Sequence, residues 1–267
     1  MNVAVKEFDV ENIVCKRTLK AKEKYEGKLF KTNNFGEYVV TKYVSSKEVH
    51  IKFIDTGYET VVSVSAIMLG KIKDNLKPFV CGVGYLGYDY EKNDGLTRVY
   101  RTWHGMIERC YSPNTMFRCP TYIDCSVSSE FLNFSYFKKW YFKQVGSGEA
   151  DYHFDKDLLV KGNKVYSPET CCFIPAEINS LLTTTNKRRG DTPIGVCVRK
   201  NKKGYQSSLC INGKDKHLGS FDCPVKAFEV YKVAKEAYYK EKAEHWKGRI
   251  SDKAYEALKS RTVEITD

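Results

Sequence analysis

A chain of 267 residues is long for one small domain; at roughly 150 residues per domain it has room for two units, or three small ones. With 42% hydrophobic and 13% aromatic residues it can bury a core, which excludes a disordered chain, and it contains no run of about eighteen apolar residues that would offer a membrane span. The formal net charge of +11 favours a polyanionic partner, either nucleic acid or an anionic membrane surface.

The start, Met1 to Lys6, lacks the basic-then-apolar form of a secretory signal. The expected location is therefore the cytoplasm, where the ten cysteines stay reduced. None forms a C-x-x-C pair. Cys110, Cys119 and Cys125 are loosely spaced and Cys171 and Cys172 are adjacent, which suits buried free thiols better than a zinc knuckle.

The first part, residues 1–80, opens with a charged stretch from Lys16 to Lys24, either a short helix or a loose arm. Strands are predicted over Leu29–Thr32, Tyr38–Tyr43, Val49–Ile54 and Glu59–Val64, separated by turns at Asn33–Gly36 and Asp55–Gly57. Polar and apolar residues alternate through Val49-His50-Ile51-Lys52-Phe53, so one face is buried and the other wet. Short strands with tight turns suggest a small SH3-like β-barrel, either a binding module or a passive packing unit. A Gly- and Tyr-rich linker, Gly82 to Tyr88, follows.

The second part spans residues 95–185. Val99, Trp103, Met106 and Ile107 recur at helical spacing, and Ser112-Pro113-Asn114 ends that helix. A second helix begins near Ser128 or Ser129 and runs through Trp140, with Phe134, Phe137, Trp140 and Tyr141 forming a core stripe. Then come a strand around Tyr152–Asp157, a turn at Lys161–Lys164, a short strand near Tyr166–Phe173, and a helix from Ile174 to Leu182 with Pro175 in its first turn.

This strand–turn–strand–helix segment resembles the ββα-metal core of HNH endonucleases, especially the phage forms related to homing endonucleases. The resemblance implies an Asp-His pair on the first strand, an Asn that orients the hairpin, and an Asn on the helix. The Asp and helical Asn hold a divalent metal, and the His activates water against a phosphodiester. Asp155 matches the metal-binding Asp and Asn179 the helical Asn, which implies Mg²⁺ as cofactor. Lys156 stands where the catalytic His belongs, and Thr170 where the orienting Asn belongs. An ordinary Lys is protonated near neutral pH and cannot accept a proton. His153 lies two residues before Asp155, so on a strand both project to one face. It either takes over the role of base or is a surface histidine without a role.

A breaker-rich basic linker, Thr183 to Gly190, leads to the third part, residues 192–250. A hairpin turns at Asn201–Gly204, a second turn at Asn212-Gly213 leads to a third strand, and a helix follows from Pro224 to about His245. On that helix Ala227, Val230, Tyr231, Ala234 and Tyr238 share a face. Residues 251–267 add a final short helix with Tyr255 and Leu258 inward.

Gly195-Val196, Arg199, Tyr205, Asn212-Gly213-Lys214 and His217-Leu218-Gly219-Ser220-Phe221 resemble the Apetala-two/ethylene-response-factor domain, which also occurs in phage HNH proteins. The resemblance implies a three-stranded antiparallel sheet lying in the major groove of double-stranded DNA, backed by one helix. Between Lys187 and Lys216 nine cations face two acids, a clustering that phosphate contacts require. The expected DNA-binding residues are Arg188, Arg189, Arg199, Lys200, Lys202, Lys203, Tyr205, Lys214, Lys216 and His217.

The whole chain is thus expected to be α+β: an SH3-like barrel, a degenerate ββα-metal module with flanking helices, and a sheet-plus-helix DNA-binding module. The leading functional expectation is a phage DNA-binding endonuclease of the HNH homing type. The alternatives are a binding-only phage regulator, in which Lys156 replaces nuclease chemistry with phosphate contact, and a structural protein with a basic surface.

Overall fold

The computed structural model describes residues 10–183, 191–199 and 203–267, with side chains from residue 16 onward. The fold is α+β, with several small sheets. It divides into two compact units. One contains the chain up to residue 94 together with residues 133–135, and the other residues 95–132 and 136–267.

In the first unit, helix α1 (Val10–Tyr25) precedes four strands, β1 (Leu29–Lys31), β2 (Glu37–Ser45), β3 (Glu48–Phe53) and β4 (Glu59–Val62). They pair antiparallel in chain order. The alternation read from the sequence sets the faces: Val49, Ile51 and Phe53 are buried, with Lys52 in water. The sheet is open, not the closed barrel expected. β1 has three residues and β4 four, too few for the tilt and stagger that closure demands. After β4 the chain turns into helix α2 (Val64–Leu69), because the Ser63 hydroxyl caps it by accepting from the Ala66 N–H at 3.3 Å. Tyr25 and Ile67 then join the sheet's core.

The Gly- and Tyr-rich stretch is not a free linker. Leu86 is buried, and Tyr85 pairs with Asn133 in a parallel bridge. Gly87 has a positive φ, and a Cβ there would lie 2.3 Å from Asn133 Oδ1, so only glycine fits.

The second unit opens with α3 (Arg98–Tyr111), capped by Thr97. Its buried residues Val99, Trp103, Met106 and Ile107 are those the periodicity selects. Pro113 ends α3 by starting another helix, α4 (Pro113–Arg118). The single helix expected from Ser128 to Trp140 is broken at Asn133 into α5 (Ser129–Leu132) and α6 (Phe134–Tyr141). The interruption falls where the Asn133 backbone pairs with Tyr85.

Strand β5 (Ser126–Val127) precedes α5 and pairs parallel with β7 (Val165–Tyr166). Between them in sequence lies β6 (Tyr152–Asp155), which pairs antiparallel with β8 (Cys172–Pro175). Helix α7 (Ala176–Leu182) follows at once. Pro175 closes β8 and takes the cap position, one residue before the helical turn expected for it. Phe131, Phe137, Trp140, Phe154 and Phe173 pack ring on ring under this hairpin, so the aromatic stripe is core.

β9 (Val196–Val198), β10 (Tyr205–Ile211) and β11 (Lys214–Phe221) form a three-stranded antiparallel sheet with β10 central. Helix α8 (Pro224–Trp246) backs it, and α9 (Asp252–Lys259) follows with Tyr255 and Leu258 buried. On α8 the buried row is Ala227, Phe228, Tyr231, Tyr238, Tyr239 and Ala243; Val230 is exposed. A 3.6-residue repeat over 23 residues sweeps the seam toward Phe228 and away from Val230. Tyr231 lies flat on Gly195, where a Cβ would stand 2.0 Å from the ring. Ile174 and Ile178 share one hydrophobic core with Val196, Leu209, Phe228 and Leu258. The hairpin segment and the three-stranded sheet therefore belong to one folded body.

Among the described residues no helix is long and apolar enough to cross a membrane. No cysteine with a described side chain forms a disulfide. Burial pushes the Cys110 and Cys171 thiols up to about 12, which makes them inert packing groups.

Candidate active site

β6 and α7 line a cleft of about 530 Å³. His153 and Asp155 reach it from alternate positions of β6, and Asn179 reaches it from α7. Two braces hold β6 in place. Arg98, on the first turn of α3, donates to the carbonyls of Glu149 and, at 2.7 Å, Tyr152. The β6–β8 ladder secures the other edge. Helix α7 is anchored on its far side by Glu177, which accepts from Trp246 Nε1 at 2.8 Å and pairs with Lys242.

Asp155 is the most informative residue. Its Oδ1 accepts from the backbone N–H groups of Leu158 (2.7 Å) and Asp157 (3.0 Å). No cation pairs with it among the described residues. Burial holds its carboxyl above the usual carboxylate range, Asp157 adds to this by like charge, and the two N–H donors pull the other way. His153 is exposed, and its Nδ1 lies 3.2 Å from the amide nitrogen of Asn179.

Lys156 is fixed in an ion pair. It is buried, with Nζ 2.6 Å from Asp157 Oδ1 and 2.8 Å from the Asn163 carbonyl. These two acceptors tie its amine into the loop.

The orienting role expected of Thr170 is divided. Thr170 Oγ1 donates to the Val165 carbonyl at 2.7 Å. Asn163 does more: its amide donates to the carbonyls of Lys156 (2.8 Å) and Val165 (2.7 Å) and accepts from the Val165 N–H. It staples the loop between β6 and β7. From sequence alone Asn163 is only part of a turn.

The cleft also holds Arg109 from α3, Tyr122, Tyr166 from β7 and Arg261 from beyond α9. None of these stands out in the sequence. Arg109 has a faint signal, a cation on the otherwise apolar side of an amphipathic helix. Arg261 has none, because it arrives from about a hundred residues downstream of β6.

The residues fit a divalent cation in one respect and fall short in another. Among the described residues no group of three or more His, Cys, Asp or Glu side chains is placed to hold a metal. The donor set is one carboxylate and one amide beside an imidazole. Mg²⁺ commonly takes one or two carboxylates and completes its shell with water and substrate phosphate. A half-buried carboxylate with no direct ion pair among the described residues suits that arrangement.

The expected DNA-binding residues do not all share a surface. Arg188, Arg189, Lys200 and Lys202 lie outside the described residues. Strand register sorts the rest. Ser208 faces His217 and Gln206 faces Cys197 on the side away from α8, whereas Leu209 pairs with Lys216 and Ile211 with Lys214 on the helix side. A bulge at Leu218 separates the two halves of β11. His217 therefore lies on the outer face, and Lys214 and Lys216 line the exposed edge of β11. Tyr205 packs against the core. Lys203 is exposed and Arg199 half-buried at the β9–β10 turn. Comparison with known proteins returns nothing: no family model, curated protein or solved structure matches the chain.

Proposed function

We propose that this chain binds duplex DNA through its three-stranded sheet and cuts or nicks it in the cleft between β6 and α7 with the help of a divalent cation, in the manner of phage HNH endonucleases. The observation that carries this reading is the convergence of Asp155, His153 and Asn179 on one cleft, with Asp155 a half-buried carboxylate that has no ion pair among the described residues. A bound Mg²⁺ or Mn²⁺ would supply Lewis-acid stabilisation of a phosphoryl oxygen.

Asp155 would be the anionic ligand, already oriented by two backbone N–H groups. His153 would take the proton of the attacking water at Nε2. That role requires the ring's own proton on Nδ1; the Asn179 amide that faces Nδ1 would accept it once turned over, with its oxygen toward the ring. Lys156 pairs with Asp157 and ties down the loop. The exposed edge of β11 and the turn at Arg199 and Lys203 would contact phosphates and base edges.

One observation favours a second reading. With Lys156 locked to Asp157 at the position of the family's base, the chain would bind DNA without cutting it. Supercoiled plasmid incubated with the full chain separates the two. Nicked or linear product with Mg²⁺ or Mn²⁺, abolished by EDTA, is the expected result. Binding without any product under either cation overturns the nuclease reading in favour of the binding one.

A further inference from the structure

The charges in the cleft are matched on one side and unmatched on the other. Lys156 and Asp157 neutralise each other at 2.6 Å. Among the described residues no ion pair reaches Asp155, which feels the Lys156 charge only at a distance, and none joins Arg109 or Arg261 to a carboxylate. Arg109 is held firmly all the same. Its Nε donates to the Gly105 carbonyl at 3.1 Å and its Nη1 to the Tyr166 hydroxyl at 3.1 Å. The Tyr122 and Tyr166 rings lie 5.9 and 5.7 Å from the guanidinium carbon. These contacts fix the plane of the guanidinium, and the two tyrosines favour its charge, with no carboxylate paired to it among the described residues. Arg261 Nη1 reaches the Asp157 carbonyl at 3.4 Å, a long and weak contact, and Tyr239 on α8 also takes up its guanidinium. Both arginines are thus held in place by neutral partners, and neither meets a carboxylate in the cleft among the described residues.

We propose that Arg109 and Arg261 form an anion seat that takes one phosphodiester group of a nucleic-acid strand. Arg109 is the rigid half, set by Gly105 and Tyr166. Arg261 is the second arm, supplied by the segment after α9. A planar guanidinium with forked donors matches phosphate geometry better than a lysine does. The seat lines the same cleft as Asp155, so a phosphate held there shares the cleft with that carboxylate. The naming of a phosphodiester rests on the nuclease reading; the anion seat does not.

Inorganic phosphate is the probe, titrated into the full chain without divalent metal and read as thermal stabilisation against chloride at matched ionic strength. The wild-type chain should be stabilised. Arg261→Gln and Arg109→Gln should each weaken the phosphate midpoint about tenfold, while Lys42→Gln with Lys47→Gln, exposed in the first unit, should leave it unchanged. Arg109→Lys, which keeps the charge but not the fork, should fall between. Should Arg109→Gln fail to fold, Arg261→Gln and Arg109→Lys carry the test. Absence of phosphate stabilisation in the wild type, or stabilisation unaffected by Arg261→Gln and Arg109→Lys, overturns the seat. Failure of the nuclease reading appears separately, as no DNA cutting by the wild type, and leaves this titration readable.

Discussion

The amide nitrogen of Asn179 lies 3.2 Å from Nδ1 of His153. With that nitrogen toward the ring, Nδ1 accepts and the imidazole proton sits on Nε2. With the amide turned over, its oxygen accepts from Nδ1–H and Nε2 carries the lone pair. One amide thus decides whether His153 presents a donor or a base to the cleft. Asn179→Asp removes the choice, because a carboxylate only accepts. It should raise the cutting rate at neutral pH and strengthen binding of Mn²⁺. A rate equal to or below the wild type would contradict the role given to His153.

Asp155 should make the metal-free protein less stable. Its folded-state carboxyl binds a proton more tightly than the unfolded chain does, because burial disfavours the charge. The stability associated with it is full below the unfolded carboxyl pKa and is lost as pH rises through the higher folded value. Asp155→Asn keeps an oxygen for the Asp157 and Leu158 N–H groups and removes the charge. At pH 7 it should stabilise the metal-free chain, and the gain should shrink as pH falls below the unfolded carboxyl pKa. Mn²⁺ should raise the Tm of the wild type and not of this variant. Calorimetry with and without cation checks both.

Lys242 joins the cleft helix to the sheet. It pairs with Glu177 on α7 and donates to Asn212 Oδ1 at 3.1 Å in the β10–β11 turn, where Tyr238 also donates to Asn212. Lys242→Met should cost about 1–2 kcal/mol in denaturant unfolding, at the low end for a buried charged hydrogen bond because Glu177 is partly in water. The hydrogen bond from Lys242 holds the Glu177 carboxyl below its ordinary value. That contribution is full above the unfolded Glu pKa and is lost as pH falls through the lower folded one. The variant should accordingly lose less stability than the wild type on acidification.

The register of β11 separates affinity from selectivity. Lys214→Gln with Lys216→Gln should weaken binding to every duplex and reduce the salt slope by about two, one for each phosphate that the lysines no longer neutralise. His217→Ala, on the outer face, should instead change the preference among sequences. Equal behaviour of the two variants across a panel of duplexes would contradict the placement of the reading face.

Periodicity made the elements legible where one face is buried. Val49 to Phe53, the α3 seam and the strand–turn–strand run into α8 were all readable, because alternation and the 3.6-residue repeat report burial directly. Closure of the first sheet was not, since it depends on strand length and on Ser63 starting a helix. In the cleft, Asp155, His153 and Asn179 were legible because a strand and the next helix bring near neighbours together. Arg109, Tyr166 and Arg261 were not, because they meet through tertiary packing that no local spacing encodes. That Lys156 stands at the place of the family's His was legible, but its bond to Asp157 and the staple formed by Asn163 needed the folded loop.

Single-turnover cleavage of duplex DNA with Mn²⁺ by the wild type, Asp155→Ala and His153→Ala tests the central claim most directly. Metal-dependent cutting is predicted for the wild type, none for Asp155→Ala, and a loss on the order of 10²–10⁴-fold for His153→Ala, the usual weight of general acid–base catalysis, with duplex affinity retained in all three. A wild type that yields no product, or cutting that survives Asp155→Ala, would contradict it.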